Sequence, residues 1–304
     1  MFQTIMVPLD GSPTSEQAIA AAARLAQGSS AALHLVHVHS PYTTAPISIE
    51  GLPVIDEELR SLAVDHELAY LHRTADGVAG TFHKPVIARL EGPVAFRLAS
   101  YCHAIGADLL VMTTHGRSGF TQLWLGSVAE ALLRSLHVPM LLLRPTPEAA
   151  TPQPFRHIIV PLDGSALAEQ ILPHAVAMAE HDGAEITLLR IIEGHPAHIL
   201  GNPIDYRPHE SSVTEQRDTA ELYLSRLAAE LLAGGHPAHT AIEAADGPAQ
   251  AILAAAEGRG ADLIALATRG RSGMASALLG SVADKIIRGG ALPVLALRPS
   301  HPDG

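Results

Sequence analysis

The residues with the most specific spacing form a glycine loop that occurs twice. Gly116 and Gly126-Ser127 are separated by nine residues, and so are Gly270 and Gly280-Ser281. In each copy an apolar run stops at a Gly/Ser-rich stretch, and a helical pattern opens at Ser127 or Ser281. A glycine loop feeding a helix N-terminus presents backbone N–H groups and the positive end of the helix dipole, which is chemistry suited to phosphate. Aligning Thr114–Arg134 with Thr268–Arg288 needs no gap and leaves 11 of 21 positions identical. A second motif, Val-Pro-Leu-Asp-Gly-Ser, stands at 7–12 and again at 160–165, identical at six of six positions. Its carboxylates, Asp10 and Asp163, serve either as ligand-facing acids or as Asx-turn residues joining strand to helix. Ser127 and Ser281 read as helix N-caps whether or not a ligand is present. Arg117 and Arg271 offer guanidinium forks to a phosphate or are ordinary exposed loop arginines. His115 against Arg269 either tunes phosphate contacts differently in the two halves or is a surface difference without consequence.

The elements that must carry these motifs also come in duplicate. Apolar runs 2–7 and 156–160 precede Pro8 and Pro161, and each is followed by an Ala-rich helical pattern (16–27; 167–180). Second strands are expected at 32–39 and 186–192, then His- and Pro-rich loops at 40–53 and 193–208 that share little with each other. Long helical patterns (55–79; 211–233), strands (85–90; 240–244) and helices opened by Gly-Pro (92–93; 247–248) follow. Strands at 107–112 and 261–266 deliver the glycine loops, and each half closes with a helix and a last strand, 138–143 or 292–297. This alternation predicts an α/β class: two tandem doubly wound, Rossmann-like domains, each a five-stranded parallel sheet, for which the order 3-2-1-4-5 is assumed. The expected divisions are 1–146, a Pro-rich linker at 147–154, and 155–304. In that order, ligands bind outside the carboxyl ends of strands 1 and 4, where both repeated motifs lie.

Composition narrows the partners. The chain has 304 residues, 47% of them hydrophobic, enough for two cores. Twenty Lys plus Arg against 31 Asp plus Glu give 20 − 31 = −11, a field that repels nucleic acid and anionic lipid. The only lysines are Lys84 and Lys285, so a lysine-dependent phosphate site is not expected. No signal peptide and no membrane span are read, and a cytoplasmic location is expected. Cys102, the single cysteine, reads as a small buried residue. Of the histidines at 34, 37 and 39, the first two alternate to opposite faces, and convergence on a metal is not expected. His195, His198 and His209 lack ligand spacing with a partner, so no metal site is assigned.

At these residues the sequence resembles the universal stress protein family in its tandem form. The resemblance covers nearly the whole chain outside the linker and the loops after the second strands. The family's nucleotide-binding branch carries Gly-x2-Gly-x9-Gly-Ser/Thr, and both loops here match from the second glycine onward. The first glycine is replaced by Thr113 and by Ala267. A Cβ there is costly if the backbone needs positive φ. The resemblance implies the adenine-nucleotide alpha hydrolase-like sheet derived above, with ATP or AMP as ligand and Mg²⁺ carried on the phosphates. It implies a nucleoside acid at Asp10 and Asp163 following Pro8 and Pro161, and backbone contacts to adenine at Val38 and Ile191. It implies a phosphate cradle from Gly116, Gly126 and Ser127 with Gly270, Gly280 and Ser281, flanked by Thr113, His115, Arg117, Ala267, Arg269 and Arg271.

Three function classes are open on the sequence. The first is an adenine-nucleotide-binding regulatory protein of stress response with an unknown signalling partner. The second is a nucleotide-free interaction scaffold of the same fold. The third is a slow Mg-dependent ATPase, although no Walker loop, nucleophile elbow, Gly-x-Gly-x-x-Gly after a strand or positioned base is present. The last strands are apolar and lie at a sheet edge, which is an aggregation hazard unless covered. The resemblance implies domain pairing through that strand, hence an internal pseudo-dimer and a capacity for homodimerisation. A charge at Leu142 is expected to lower stability or change the oligomeric state; sedimentation and melting curves identical to the parent protein would remove the edge-pairing idea.

Overall fold

The computed structural model describes residues 1–40, 47–49, 52–54, 57–78, 84–114, 125–145, 153–192, 210–269 and 279–300. The chain divides into two compact units, Met1–Pro152 and Gln153–Gly304. In unit 1 the main strands are β1 (Thr4–Leu9), β2 (Ala32–His39), β5 (Val86–Glu91), β6 (Leu109–Thr113) and β7 (Met140–Leu143). They run parallel in the order β5-β2-β1-β6-β7. Helices α1 (Pro13–Ser29), α2 (Glu57–Val78), α3 (Val94–Ala104) and α4 (Ser127–Ser135) connect them. A short antiparallel pair, β3 (Ile47–Ile49) and β4 (Leu52–Val54), falls where the sequence reads only as a loop.

Unit 2 repeats the plan with β8 (His157–Pro161), β9 (Glu185–Ile192), β10 (Ala238–Ala244), β11 (Leu263–Ala267) and β12 (Val294–Leu297), ordered β10-β9-β8-β11-β12. Its helices are α5 (Ala166–Glu169), α6 (Leu172–Asp182), α7 (Glu210–Ala233), α8 (Pro248–Gly258) and α9 (Ser281–Gly289). Both units are thus the doubly wound 3-2-1-4-5 sheet. The single helix expected at 167–180 is broken, because Pro173 has no N–H to continue the ladder and sits in the first turn of α6.

Continuous apolar runs make the central strands, as a sheet covered on both faces requires. Ile5, Met6 and Val7 of β1 and Leu109, Leu110 and Val111 of β6 are fully buried, as are Ile158, Ile159 and Val160 of β8. Cys102 is also fully buried, and burial pushes its thiol up to about 11. Among the described residues, no helix is long and apolar enough to cross a membrane.

Strands 1 and 4 of each sheet pair only at their beginnings. β1 meets β6 at Ile5↔Leu109 and Met6↔Leu110, and β8 meets β11 at Ile158↔Leu263 and Ile159↔Ile264. Further along stand Pro8 and Pro161, which have no N–H for a ladder. The carboxyl ends therefore separate and leave a crevice. The amino ends are held by a carboxylate: Asp108 accepts from Gln3 N at 2.7 Å and Thr4 N at 3.0 Å, and Asp262 accepts from Arg156 N at 2.8 Å and His157 N at 3.1 Å. Replacing Asp108 or Asp262 with Ala is expected to cost about 1–3 kcal/mol, because charge-assisted bonds to two strand N–H groups are lost. Urea unfolding of each variant checks this, and an unchanged midpoint in both would show that the clamp contributes nothing.

Candidate functional site

The crevice in unit 1 is a cavity of about 330 Å³ lined by Pro8, Asp10, His37, Val38, Glu67, Thr113, Gly126 and Ser127, among others. Its counterpart in unit 2, about 650 Å³, is lined by Pro161, Asp163, Arg190, Ile191, Ala267, Thr268, Arg269, Gly280 and Ser281, among others. The sequence-selected residues Pro8, Asp10, Val38, Thr113, Gly126 and Ser127 are thereby brought together in one cavity. Pro161, Asp163, Ile191, Ala267, Arg269, Gly280 and Ser281 meet in the other. His115, Gly116, Arg117, Gly270 and Arg271 lie outside the described residues. So does the loop with His195, His198 and His209.

The two aspartates have a structural task within the cavity wall. Asp10 Oδ1 accepts from Ser12 N at 2.9 Å and Ser12 Oγ at 2.6 Å, and Asp163 Oδ1 accepts from Ser165 N at 3.0 Å and Ser165 Oγ at 2.6 Å. Each serine then caps a helix: Ser12 Oγ accepts from Ser15 N at 3.2 Å, and Ser165 Oγ from Ala168 N at 3.1 Å. The turn and the cavity-lining position therefore coexist in one side chain.

At the loop end, the N-caps are Gly126 and Gly280, not Ser127 and Ser281, which are the first residues of α4 and α9. This corrects the sequence expectation. A glycine cap has no side chain to accept from the first-turn N–H groups, and the first turns, Gly126–Ala129 and Gly280–Ala283, line the cavities. Glycine is required here by close approach rather than by φ, which is −59° at Gly126 and −62° at Gly280. A Cβ on Gly280 would lie 2.9 Å from the Thr268 carbonyl oxygen, and one on Gly126 would lie 3.2 Å from that of Thr114. Thr113 and Ala267, at the family's first glycine, end extended strands, and the only non-glycine residue with positive φ among those described is Ser30. No left-handed backbone is demanded of either, so their Cβ atoms cost nothing on that account.

Around the unit 2 loop, Thr268 is 1% exposed and its Oγ1 has no hydrogen-bond partner among the described residues. The buried Nε of Arg269 likewise has none. Burial, then the neighbouring Arg269 charge, pulls the Arg298 guanidinium below its usual range. Arg269 and Thr268, with its buried hydroxyl, thus line this end of the cavity, and the Arg298 charge lies close to that of Arg269.

The opposite end of the unit 1 cavity holds a cluster that the sequence reading missed. Glu67 of α2 accepts from His39 Nδ1 at 2.7 Å and from Arg89 Nε at 2.7 Å, and His37 Nε2 stands 3.6 Å from its Oε1. Burial works to raise the Glu67 carboxyl, but the bonds from His39 and Arg89 outweigh it and the net shift is downward. His37 and His39 therefore do converge, although on a carboxylate. His34 goes elsewhere, to Tyr101 Oη at 3.1 Å. The signal was the two-residue spacing of His37 and His39, which puts both on one face of a strand. Among the described residues, no three His, Cys, Asp or Glu side chains are arranged to hold a metal ion.

Gly280→Ala is expected to destabilise unit 2 by about 1–3 kcal/mol, and Gly126→Ala to cost unit 1 less, since the first substitution meets a backbone oxygen at closer range. Paired denaturation curves test the ranking; equal losses, or a larger one at Gly126, would contradict the close-approach argument.

Comparison with known proteins bears on the family and the fold. The family model described as Universal stress protein family matches residues 1–144 and again 154–298. Universal stress protein Rv1996 of Mycobacterium tuberculosis is 27% identical over 321 residues, covering 98% of this chain and 96% of that protein. A single-unit relative from Thermus aquaticus, named universal stress protein in QAH/OAS sulfhydrylase 3'region, is 34% identical over 145 residues, 47% of this chain and 99% of its own. The crystal structure of a universal stress protein from Archaeoglobus fulgidus superposes with a TM-score of 0.67 at 19% identity, covering 98% of both chains, and supports the fold. With its model matched twice, along nearly the whole length, the chain belongs to the universal stress protein family and carries two tandem copies of its domain.

Proposed function

We propose that the protein is a nucleotide-binding regulator of the stress response, with an adenine nucleotide, ATP or AMP, seated in the crevice of each unit. The phosphates lie at the N-terminus of α4 or α9, and the base lies toward the carboxyl end of β2 or β9, near Val38 or Ile191. The observation that carries this reading is the pair of glycine-capped helices opening onto cavities at the switch point of each sheet. Uncapped first-turn N–H groups and the helix dipole favour an anion at that position. Unit 2 adds a second argument: an anion beside Arg269 would relieve its repulsion with Arg298 and give the Thr268 hydroxyl a partner. Asp10 and Asp163, which line the cavities with Oδ1 held in the turn, would face the nucleoside. A divalent ion enters with the phosphates rather than on a protein cage.

The test begins with protein purified without added nucleotide, denatured, and assayed for released adenine nucleotide by chromatography and mass. ATP or AMP near two per chain is expected if both crevices hold it, and near one if the units differ. An empty preparation is titrated with Mg·ATP, and no binding at millimolar ligand overturns the reading in favour of a nucleotide-free scaffold. Thr268→Val supplies a sharper check. It should leave the free protein at least as stable, since the hydroxyl has no partner to lose among the described residues, while weakening nucleotide binding in unit 2 severalfold. Unchanged affinity would remove Thr268 from the site.

A further inference from the structure

The two units share a scaffold but differ in the charges on their cavity walls. The sheet registers align His37 with Arg190: Pro8 pairs with Val36 just before His37, and Pro161 pairs with Leu189 just before Arg190. The two side chains also meet the same group, with His37 Nδ1 2.9 Å from Leu9 O and Arg190 Nη1 donating to Leu162 O at 3.1 Å. Arg89, opposite His37, is replaced by Ile242, opposite Arg190. On the long helices, Tyr70 and Tyr223 correspond, each facing the glutamate of the first helical turn, Glu16 or Glu169. Three residues earlier, Glu67 is then matched by Ala220. At the end remote from the glycine loop, unit 1 has an acid and unit 2 an arginine.

Asp10 and Glu67 are the acids on the unit 1 wall, whereas Asp163 shares the unit 2 wall with Arg190 and Arg269. With neutral histidines, the first wall is acidic by two charges and the second basic by one. Protonating both His37 and His39 brings the first only to neutrality. Adding the arginines beside these groups, Arg89 at Glu67 and Arg298 near Arg269, raises each count by one and keeps the order.

Part of the unit 2 excess stands at the glycine loop. There the buried Thr268 hydroxyl has no partner among the described residues, nor has the buried Nε of the adjacent Arg269, and both residues line the cavity with the first turn of α9. The sequence puts His115 at the place of Arg269. Arg144 and Arg298 match, because each follows a leucine, Leu143 or Leu297, whose carbonyl accepts from Thr114 N or Thr268 N. Burial alone pulls the Arg144 guanidinium below its usual range, whereas Arg298 also feels the Arg269 charge. Like charges held together are relieved by a polyanion. The unit 2 cavity is also the larger, about 650 Å³ against 330 Å³.

We infer that the two crevices sort nucleotides by phosphate charge, unit 2 taking the triphosphate beside Thr268 and Arg269 and unit 1 the monophosphate. This deepens the nucleotide reading and rests on it. Each added phosphoryl group brings negative charge and acceptor oxygens, which guanidinium groups bind strongly. A cleft whose wall carries an extra carboxylate disfavours the same addition through its field.

AMP and ATP are titrated separately into the intact protein at fixed ionic strength without divalent ions. Hydrogen–deuterium exchange with mass spectrometry reads protection in peptides from β2 and α4 and, separately, in peptides from β9 and α9. ATP is expected to protect unit 2 at concentrations at least about tenfold lower than AMP, an advantage lost or reversed in unit 1. Arg269→Gln should remove most of the unit 2 preference and leave unit 1 as it was. Arg298→Gln should reduce the same preference and carries the test if Arg269→Gln does not fold. Equal protection of unit 2 by AMP and ATP in the parent protein overturns the inference while leaving nucleotide binding intact. So does an ATP advantage in unit 1 as large as that in unit 2, or one in unit 2 that survives the folded variants. Protection of neither unit by either nucleotide, with or without Mg²⁺, instead overturns the reading on which the inference rests.

Discussion

One backbone hydrogen bond in each unit closes the loop on which the site depends: Gly126 N donates to Thr114 O at 2.8 Å, and Gly280 N donates to Thr268 O at 2.8 Å. The bond returns the chain to the end of strand 4 after the loop and starts the next helix at the mouth of the crevice. It explains the glycine, since a side chain at that position would press on the accepting carbonyl. It also leaves the helix without a side-chain cap, with its first turn on the cavity wall. A serine one residue earlier would have capped the helix and closed the very site it borders.

The crevice itself comes from incomplete pairing. Strands 1 and 4 share two residue pairs in each sheet and then part, while Asp108 and Asp262 keep their amino ends together. The proline that follows cannot extend the ladder. Sheet stability and the cavity are therefore set at opposite ends of the same strands, and substitutions on the cavity wall leave the buried apolar segments of β1 and β8 intact.

Duplication preserved the loop and the Asp-Gly-Ser turn, while the remote end of each cavity diverged. Unit 1 holds a carboxylate between two histidines and an arginine; unit 2 has an arginine, an alanine and an isoleucine at three of the matching places. Burying an acid is unfavourable unless it is paired, which accounts for the company Glu67 keeps. Its counterpart needs no such company because it has no charge.

The sequence by itself determined the α/β alternation and the family and picked out motif residues that line each crevice, while the 3-2-1-4-5 order was assumed from the alternation and is seen in the strand pairing. Apolar runs, prolines and glycine spacing are local signals, and the repeat made each of them appear twice. The long helices and central strands were legible to within a few residues, whereas the break at Pro173 and the β3–β4 pair were not read from composition. Only the tertiary structure decided that Gly126 and Gly280, rather than the serines after them, cap the helices, because that depends on where the chain returns to Thr114 and Thr268. Only it brought Glu67 to His37 and His39 across 28 residues of chain from His39, with Arg89 arriving from a third element. Such contacts are set by how a helix lies on a sheet, and spacing along one strand shows which face a side chain takes without showing what waits there.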